Sequence, residues 1–298
     1  MARLADDRRE RRERVMPMNV DLAWLTAQLP SLTNLQSLAR GGQKQVFSGV
    51  DSTNGDIVLK VMLPGSDPDR VRREIVSASK VPATRMPKIH DHGLLNSQAG
   101  SVYWIVEQRI AGESLREMLK RGTLSHPELL RLALHVGESL EAAEAVEVVH
   151  RDVKPDNIIA GTGGDYWLID FGIARHLDMD SLTATQSPAG WGTPGYSPVE
   201  QTRNDKPEID ARADLFALGV TLHEAATGSN PHRVGVRDPF EANQRAATRS
   251  LPRLTPPVPP EFADLVTTLS QPLCIHRPQT ASDAMDWIRD LCRKEGVK

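Results

Sequence analysis

Two short motifs constrain this chain more than any other feature of its sequence. The run HRDVKPDN occupies positions 150–157, and DFG occupies positions 170–172. Their side chains include the carboxylates of Asp152 and Asp170 and the amide of Asn157, on short strand-like and loop segments. The two motifs therefore indicate a polar site built on loops beside short strands.

The two motifs resemble the catalytic core of eukaryotic-type protein kinases, and of the bacterial eukaryotic-like Ser/Thr kinases in particular. The resemblance extends from about Leu38 to about Trp287. It implies an α+β, two-lobed protein-kinase-like fold, with a small antiparallel β N-lobe and a larger helical C-lobe. It also implies an enzyme that transfers the γ-phosphoryl group of ATP to protein Ser or Thr hydroxyls, using Mg²⁺ or, as an alternative, Mn²⁺.

The resemblance assigns roles to the catalytic motifs. Asp152 would accept or orient the proton of the substrate hydroxyl, and Lys154 would contact the γ-phosphate. Asn157 and Asp170 would hold the metal ions that bridge the phosphates. Further positions are expected to support this site structurally: His150, Arg151, Phe171, Gly172, Thr193, Glu200, Asp214 and Arg277.

The lysine of the nucleotide site is identified as Lys60, in the strand-like run VLKV. Its ammonium would bind the α- and β-phosphates and pair with a glutamate on a helix. Glu74 is the candidate for that glutamate, because it is the only acid between Asp69 and Asp91 and lies in a helical pattern.

The glycine-rich loop departs from the family pattern of three glycines. Aligned on Val46, only Gly41 falls on a pattern glycine; Gly42 is additional, and Lys44 replaces the third. Glycine matters here because backbone N–H groups must approach phosphate closely. Lys44 would either contact phosphate directly or point to solvent.

Adenine recognition is expected from apolar side chains and from a hinge backbone. Val46, Val58 and Ile159 occupy the positions that enclose the ring in the family. Counting back from Gly112 makes Glu107 the gatekeeper, the residue before the hinge, and assigns the hinge to 108–110. Gln108 and Ile110 are therefore predicted to bind ATP.

The segment from Asp170 to Glu200 resembles an activation segment, since GTPGYSPVE at 192–200 is similar to GTPxYxAPE. Thr193 is expected to contact Asp152 and Lys154, and Glu200 to pair with Arg277 in the C-lobe. Asp214 would brace the catalytic loop.

Arg151 indicates regulation by phosphorylation, because such an arginine pairs with a phosphate on the activation loop. The candidate phosphosites are Thr183, Thr185 and Ser181. Autophosphorylation between molecules would require at least a transient homodimer.

The remaining sequence features set the organisation and exclude some classes of protein. The chain has 298 residues and a net charge of −3, which gives no reason to expect a nucleic-acid partner. No apolar run reaches the ~18 residues of a membrane span, and the two cysteines indicate a reducing compartment, so a cytoplasmic protein without membrane partner is expected.

The predicted domains are an N-terminal extension (1–30, partly disordered), an N-lobe (31–110) and a C-lobe (111–298). Strands are predicted at 46–50, 57–62, 88–92 and 102–106, and helices at 21–28, 69–80, 114–121, 127–147, from about 214 and from 261.

Two other functions stay open at this point. The altered glycine-rich loop is the one feature that favours a pseudokinase or nucleotide-binding scaffold. A small-molecule phosphotransferase would share the fold, but such enzymes usually have HGD where this chain has His150-Arg151-Asp152, and they lack a GTPxYxAPE-like segment.

Overall fold

A computed structural model describes residues 20–40, 44–62, 72, 75–76, 78–82, 85–97, 100–170 and 192–297 of the chain. These residues form two compact units. The first contains the described residues up to 62 together with 89–109, and the second contains those of 72–88 and from 110 onward. An antiparallel sheet dominates the first unit and helices dominate the second, which confirms the predicted α+β class.

The first unit is a five-stranded antiparallel sheet with one helix packed against it. The strand order is β1-β2-β3-β5-β4. The elements in chain order are α1 (Leu22–Gln28), β1 (Leu32–Arg40), β2 (Lys44–Asp51), β3 (Gly55–Met62), β4 (Ile89–Ser97) and β5 (Gly100–Gln108).

The hairpin between β2 and β3 follows from its turn residues. The Asp51 carboxylate accepts hydrogen bonds from the backbone N–H groups of Thr53 and Asn54, at 2.9 and 2.8 Å. Gly55 then takes a positive φ of 74°, a conformation that costs glycine little. The hairpin turn predicted at Asn54-Gly55 is therefore present, and β3 pairs with β2 along its full length.

Helix α1 belongs to the same unit as the sheet. The Asp21 side chain caps its first turn, and Leu25 and Leu29 are buried in one cluster with Phe47, Leu59 and other residues of the sheet. Period-2 alternation in β3 puts Leu59 and Val61 on the face toward this cluster. The opposite face, which carries Val58 and Lys60, is left for other contacts.

The second unit is built around long helices with a small sheet, of order β6-β7-β8, beside them. Its short elements are β6 (Gly112–Ser114), α2 (Leu115–Leu119), β7 (Ile158–Gly161), β8 (Tyr166–Leu168) and α4 (Val199–Thr202). Its longer helices are α3 (His126–Glu144), α5 (Ala211–Thr227), α6 (Pro239–Thr248), α7 (Pro260–Leu269) and α8 (Ala281–Glu295).

Helix α5 is the centre of the second unit. Asp210 caps its start, and Gly228 ends it with a left-handed conformation, φ 79°. Most of its residues are buried, including Leu215, Leu218 and Leu222, which pack with α3, α7 and α8 in one apolar cluster. A helix that is apolar on nearly all sides belongs in a core, and such a rigid element can fix the groups at its N-terminus.

The structure differs from the sequence-based organisation in a few places. Strand β1 was not predicted, and the described residues of 72–88 group with the second unit, although the N-lobe was predicted to span 31–110. The proline-rich stretch 252–260 is a loop before α7, as expected. Within the described residues, none of the helices combines the length and apolar character that crossing a bilayer requires.

Candidate functional site

The loop that carries Asp152 is anchored to the start of α5 by Asp214. The two oxygens of the Asp214 carboxylate accept hydrogen bonds from the backbone N–H groups of His150 and Arg151, both at 2.7 Å. Arg151 has a positive φ of 64°, which is uncommon for a residue with a side chain and needs such an anchor. Burial raises the pKa of Asp214 to about 7, and the two N–H donors oppose that rise.

The Asp152 carboxylate lies at the centre of a hydrogen-bonded cluster. Lys154 Nζ donates to Asp152 Oδ2 at 2.8 Å, and Thr193 Oγ1 donates to Oδ1 at 2.6 Å. Lys154 Nζ also donates to Thr193 Oγ1 at 3.0 Å, so the three side chains form a closed ring. Donors on both oxygens hold the plane of the carboxylate in one orientation.

Asn157 is held by its amide nitrogen against Asp152. Nδ2 donates to the Asp152 carbonyl at 2.9 Å and to its Oδ2 at 2.8 Å. The oxygen Oδ1 is therefore the atom of Asn157 that could bind a cation. A short 3₁₀ turn, Pro155–Asn157, sets this orientation directly before β7.

Asp170 is connected to the same loop through the residue before it. Ile169 N donates to the Asn157 carbonyl at 2.8 Å, and the Ile169 carbonyl lies 3.1 Å from His150 Nε2. His150 Nδ1 accepts from Asp152 N at 3.3 Å, so the ring proton belongs on Nε2 and donates to Ile169. Buried His150 thus joins the loop to the residues that follow β8, where Asp170 has a positive φ of 69°.

The donor set around Asn157 and Asp170 fits a divalent cation of the Mg²⁺ type. One amide oxygen and one carboxylate are hard ligands, and Mg²⁺ usually keeps several waters or phosphate oxygens beside one or two protein ligands. In the described part of the chain, no cluster of three or more His, Cys, Asp or Glu residues offers an all-protein metal cage. The oxygen donors of Asn157 and Asp170 therefore fit a divalent cation that would keep water or phosphate oxygens as its other ligands.

The segment after residue 192 contacts the catalytic loop and the helical core. Gln201 Nε2 donates to the Arg151 carbonyl at 2.8 Å. Arg277 Nη1 lies 2.6 Å from Glu200 Oε1, and both side chains are almost fully buried. Arg277 also donates to three backbone carbonyls and lies over the Phe216 ring, 4.9 Å from its centroid. The predicted partners Glu200 and Arg277 are thus in contact.

A second polar network, centred on the half-buried Arg116, was not predicted from the sequence. Its guanidinium donates to Glu224 at 2.5 Å, to the Tyr196 hydroxyl at 2.7 Å and to Asp156 at 3.1 Å. Tyr196 in turn donates to Glu224. Burial and the Glu224 charge raise the pKa of Tyr196 to about 12. Tyr196 and Asp156 lie inside the recognised motifs, whereas nothing in the local sequence distinguishes Arg116 and Glu224.

In the first unit, Lys60 lies on the sheet face that is opposite to α1. The register pairs Val46 with Lys60 and Val58 with Glu107, so these four side chains share one face. Lys60 Nζ lies 2.6 Å from Glu107 Oε2, a contact that was not predicted from the sequence. The apolar run VYWIVEQ does indicate that its acid is buried and needs a partner, but it does not say which residue that partner is.

The other predicted nucleotide-binding positions are distributed over both units. Lys44 begins β2 and Gln108 ends β5. Ile159, in β7, and Ile110 are half-buried residues of the second unit. The remaining predicted positions lie outside the described residues: Gly41, Gly42, Glu74, Phe171, Gly172, Ser181, Thr183 and Thr185.

Comparison with known proteins matches residues 32–294 to the protein kinase domain family. The chain is 32% identical over 240 residues to the probable serine/threonine-protein kinase PknB of Corynebacterium glutamicum, covering 78% of this chain and 36% of that protein. It is 34% identical over 206 residues to the serine/threonine-protein kinase PknD of Mycobacterium tuberculosis, covering 67% of this chain and 30% of that protein. The chain thus spans about a third of the length of these relatives.

Proposed function

Since this chain belongs to the protein kinase domain family, as a bacterial eukaryotic-like Ser/Thr kinase domain, we propose that it transfers the γ-phosphoryl group of ATP to Ser or Thr hydroxyls of a protein. The observation that carries the proposal is the cluster of Asp152, Lys154, Asn157 and Thr193. It places a positive charge, on Lys154, and a cation ligand, Asn157, within hydrogen-bonding distance of the proton acceptor Asp152.

In the proposed reaction, a substrate hydroxyl oxygen attacks the γ-phosphorus, and the bond from that phosphorus to the bridging oxygen of ADP breaks. The Asp152 carboxylate orients the hydroxyl and receives its proton. Lys154, held 2.8 Å from Asp152, supplies positive charge where negative charge builds up on the transferred group. The products are ADP and a phosphorylated Ser or Thr. The protein contributes mainly position and charge, since the reaction needs no nucleophilic side chain.

Asn157 and Asp170 would hold the divalent cation, Mg²⁺ with Mn²⁺ as an alternative. The cation supplies positive charge that neutralises the phosphate oxygens. The anchors of this pair are the hydrogen bonds from Ile169 to Asn157 and from His150 to Ile169. In the first unit, Lys60 is proposed to bind the α- and β-phosphates, with Val46 and Val58 on the same face for the adenine ring.

Regulation is proposed to act through the segment before Thr193. Phosphate on Thr183, Thr185 or Ser181 would pair with Arg151, whose backbone is fixed by Asp214 and Gln201. Autophosphorylation in a transient homodimer is the proposed route. A cytoplasmic location is proposed as well, because ATP is the phosphoryl donor and both cysteines are unpaired thiols.

Transfer of label from γ-³²P-ATP tests the function, with the full chain and Mg²⁺ or Mn²⁺. Wild type should incorporate acid-stable label on Ser or Thr, and Asp152→Asn should not. Asp264→Asn is the matched control, because it removes an exposed carboxylate that is paired with Arg253 on the surface. If wild type binds ADP by calorimetry but transfers no label to itself or to a generic protein substrate, the pseudokinase alternative replaces the proposal.

A further inference from the structure

Lys60 and Glu107 form a buried ion pair inside the first unit. Their Nζ and Oε2 atoms are 2.6 Å apart, and the residues are 6% and 7% exposed. The register of β3 and β5 pairs Val58 with Glu107 and Lys60 with Ile105. Lys60 and Glu107 are therefore diagonal neighbours on one sheet face, within reach of long side chains. Two paired strands fix this contact, so it does not depend on a loop.

A buried carboxylate beside a lysine restricts where the ammonium can lie. Lysine has a flexible four-carbon stem, and its charge is costly to bury without a partner. The ammonium carries three N–H donors, so it can contact Glu107 and other acceptors at the same time. Glu107 thus limits the positions of Lys60 Nζ while it leaves the ammonium able to bind an anion.

We propose that Glu107 is a positioning residue for nucleotide phosphates, which acts by holding the ammonium of Lys60 from strand β5. This inference rests on the proposed function, in which Lys60 binds the α- and β-phosphates of ATP. The Glu107 restraint comes from within the sheet and is additional to the helix glutamate expected at Glu74. In this proposal Glu107 acts through its charge on Lys60 and not through a contact to the adenine ring.

Calorimetric titration of the full chain with ADP and with adenosine tests this proposal, because only ADP carries phosphates. Glu107→Gln keeps the shape of the side chain and removes its charge. We expect it to weaken ADP binding about tenfold and to leave adenosine binding unchanged. Lys60→Met should also weaken ADP selectively. In the Lys60→Met background, Glu107→Gln should not weaken ADP binding any further, because the residue acts through the lysine.

Glu117→Gln is the matched control, since Glu117 and Lys120 form a pair of the same types at the same 2.6 Å distance but exposed to solvent. It should change neither affinity. Equal weakening of ADP and adenosine by Glu107→Gln, or an undiminished effect in the Lys60→Met background, would overturn the inference.

Thermal unfolding of each variant establishes that it is folded, and Glu107→Asp, which keeps the charge, serves if Glu107→Gln unfolds. It should bind ADP more weakly than wild type because its shorter side chain retracts from Lys60, and unchanged ADP affinity would overturn the inference. If wild type and Glu107→Gln bind ADP equally well, only the role of Glu107 is refuted. Wild type that binds neither ligand refutes the proposed function too.

Discussion

Glu200 and Arg277 form a buried ion pair in which each nitrogen of the guanidinium is hydrogen-bonded. One face lies over the Phe216 ring, and the nitrogens donate to Glu200 and to the carbonyls of Arg212, Gln271 and Pro272. The pair joins α4, at the end of the segment that contacts the catalytic loop, to the helical core. Because Gln201, next to Glu200, donates to the Arg151 carbonyl, the ion pair also supports the loop of Asp152.

Removing one partner of this pair should be strongly destabilising. Glu200→Gln leaves the Arg277 charge buried without its counter-charge, and we expect a loss of about 3–5 kcal/mol in the free energy of unfolding. Chemical denaturation followed by circular dichroism measures this loss. The control is Arg253→Gln, which breaks an exposed pair with Asp264 at a similar distance and should cost about 1 kcal/mol or less. Equal losses in the two variants would contradict the prediction.

The Asp214 anchor should matter for catalysis more than an ordinary helix cap does. In Asp214→Asn, one side-chain oxygen is replaced by an NH₂ group that faces a backbone N–H donor. An N–H group is then left unsatisfied at a buried site, which costs about 1–3 kcal/mol. We expect lower kcat together with lower stability, because the loop of His150 and Arg151 is released.

Asp210→Asn is the matched control for this variant, since Asp210 caps the same helix and asparagine caps a helix about as well as aspartate. It should retain most of the stability and activity. If Asp214→Asn matched Asp210→Asn in both, the anchoring role of Asp214 would be refuted.

Thr193 should affect the chemical step more than nucleotide binding. Its hydroxyl donates to Asp152 and accepts from Lys154, so Thr193→Val removes the third member of the ring without changing its size. Misplacement of a reacting group by about 1 Å costs about 10²-fold in rate, and a fall in kcat of that order is expected with the KM for ATP unchanged. Thr193→Ser retains the hydroxyl and should retain most activity. Steady-state kinetics distinguish the two results, and equal activity of both variants would contradict the role of the hydroxyl.

The sequence predicted the parts of the site whose chemistry demands particular side chains. Asp152, Asn157, Thr193 and the partners Glu200 and Arg277 could be identified because each must be of one type at a fixed motif position. The hairpin after Asp51 was predictable for the same reason, since its turn requires a positive φ at glycine.

Features that depend on the register between distant segments could not be predicted. The contact of Lys60 with Glu107 requires that β3 and β5 pair with Val58 opposite Glu107, and no local pattern states this. Arg116 and Glu224 meet only because α2 and α5 are brought together by the core. Strand β1 could not be predicted from alternating hydrophobicity. Register shifts interrupt its pairing with β2, so its buried residues do not alternate along the strand.

Acid should destabilise the second unit through His232. Its ring stacks on Phe216, with centroids 6.3 Å apart, and among the described atoms its buried Nε2 has no hydrogen-bond partner. Burial, reinforced by nearby positive charges, lowers the pKa of His232 to about 4. The unfolded chain binds a proton here near pH 6.5, whereas the folded chain does so only near pH 4. This contribution to stability is therefore complete above pH 6.5 and is lost as the pH falls toward 4.

His232→Phe removes this titration and keeps an aromatic ring on Phe216. Between pH 7 and pH 5, wild type should lose about 2 kcal/mol more of its free energy of unfolding than the variant does. Denaturant unfolding at both pH values gives this difference. His276→Gln replaces an exposed histidine and controls for the general loss of an imidazole. Burial also lowers the pKa of His135 to about 4, so His135 accounts for part of the pH dependence of stability that remains in His232→Phe. An identical pH dependence in wild type and His232→Phe would show that His232 does not contribute to acid sensitivity.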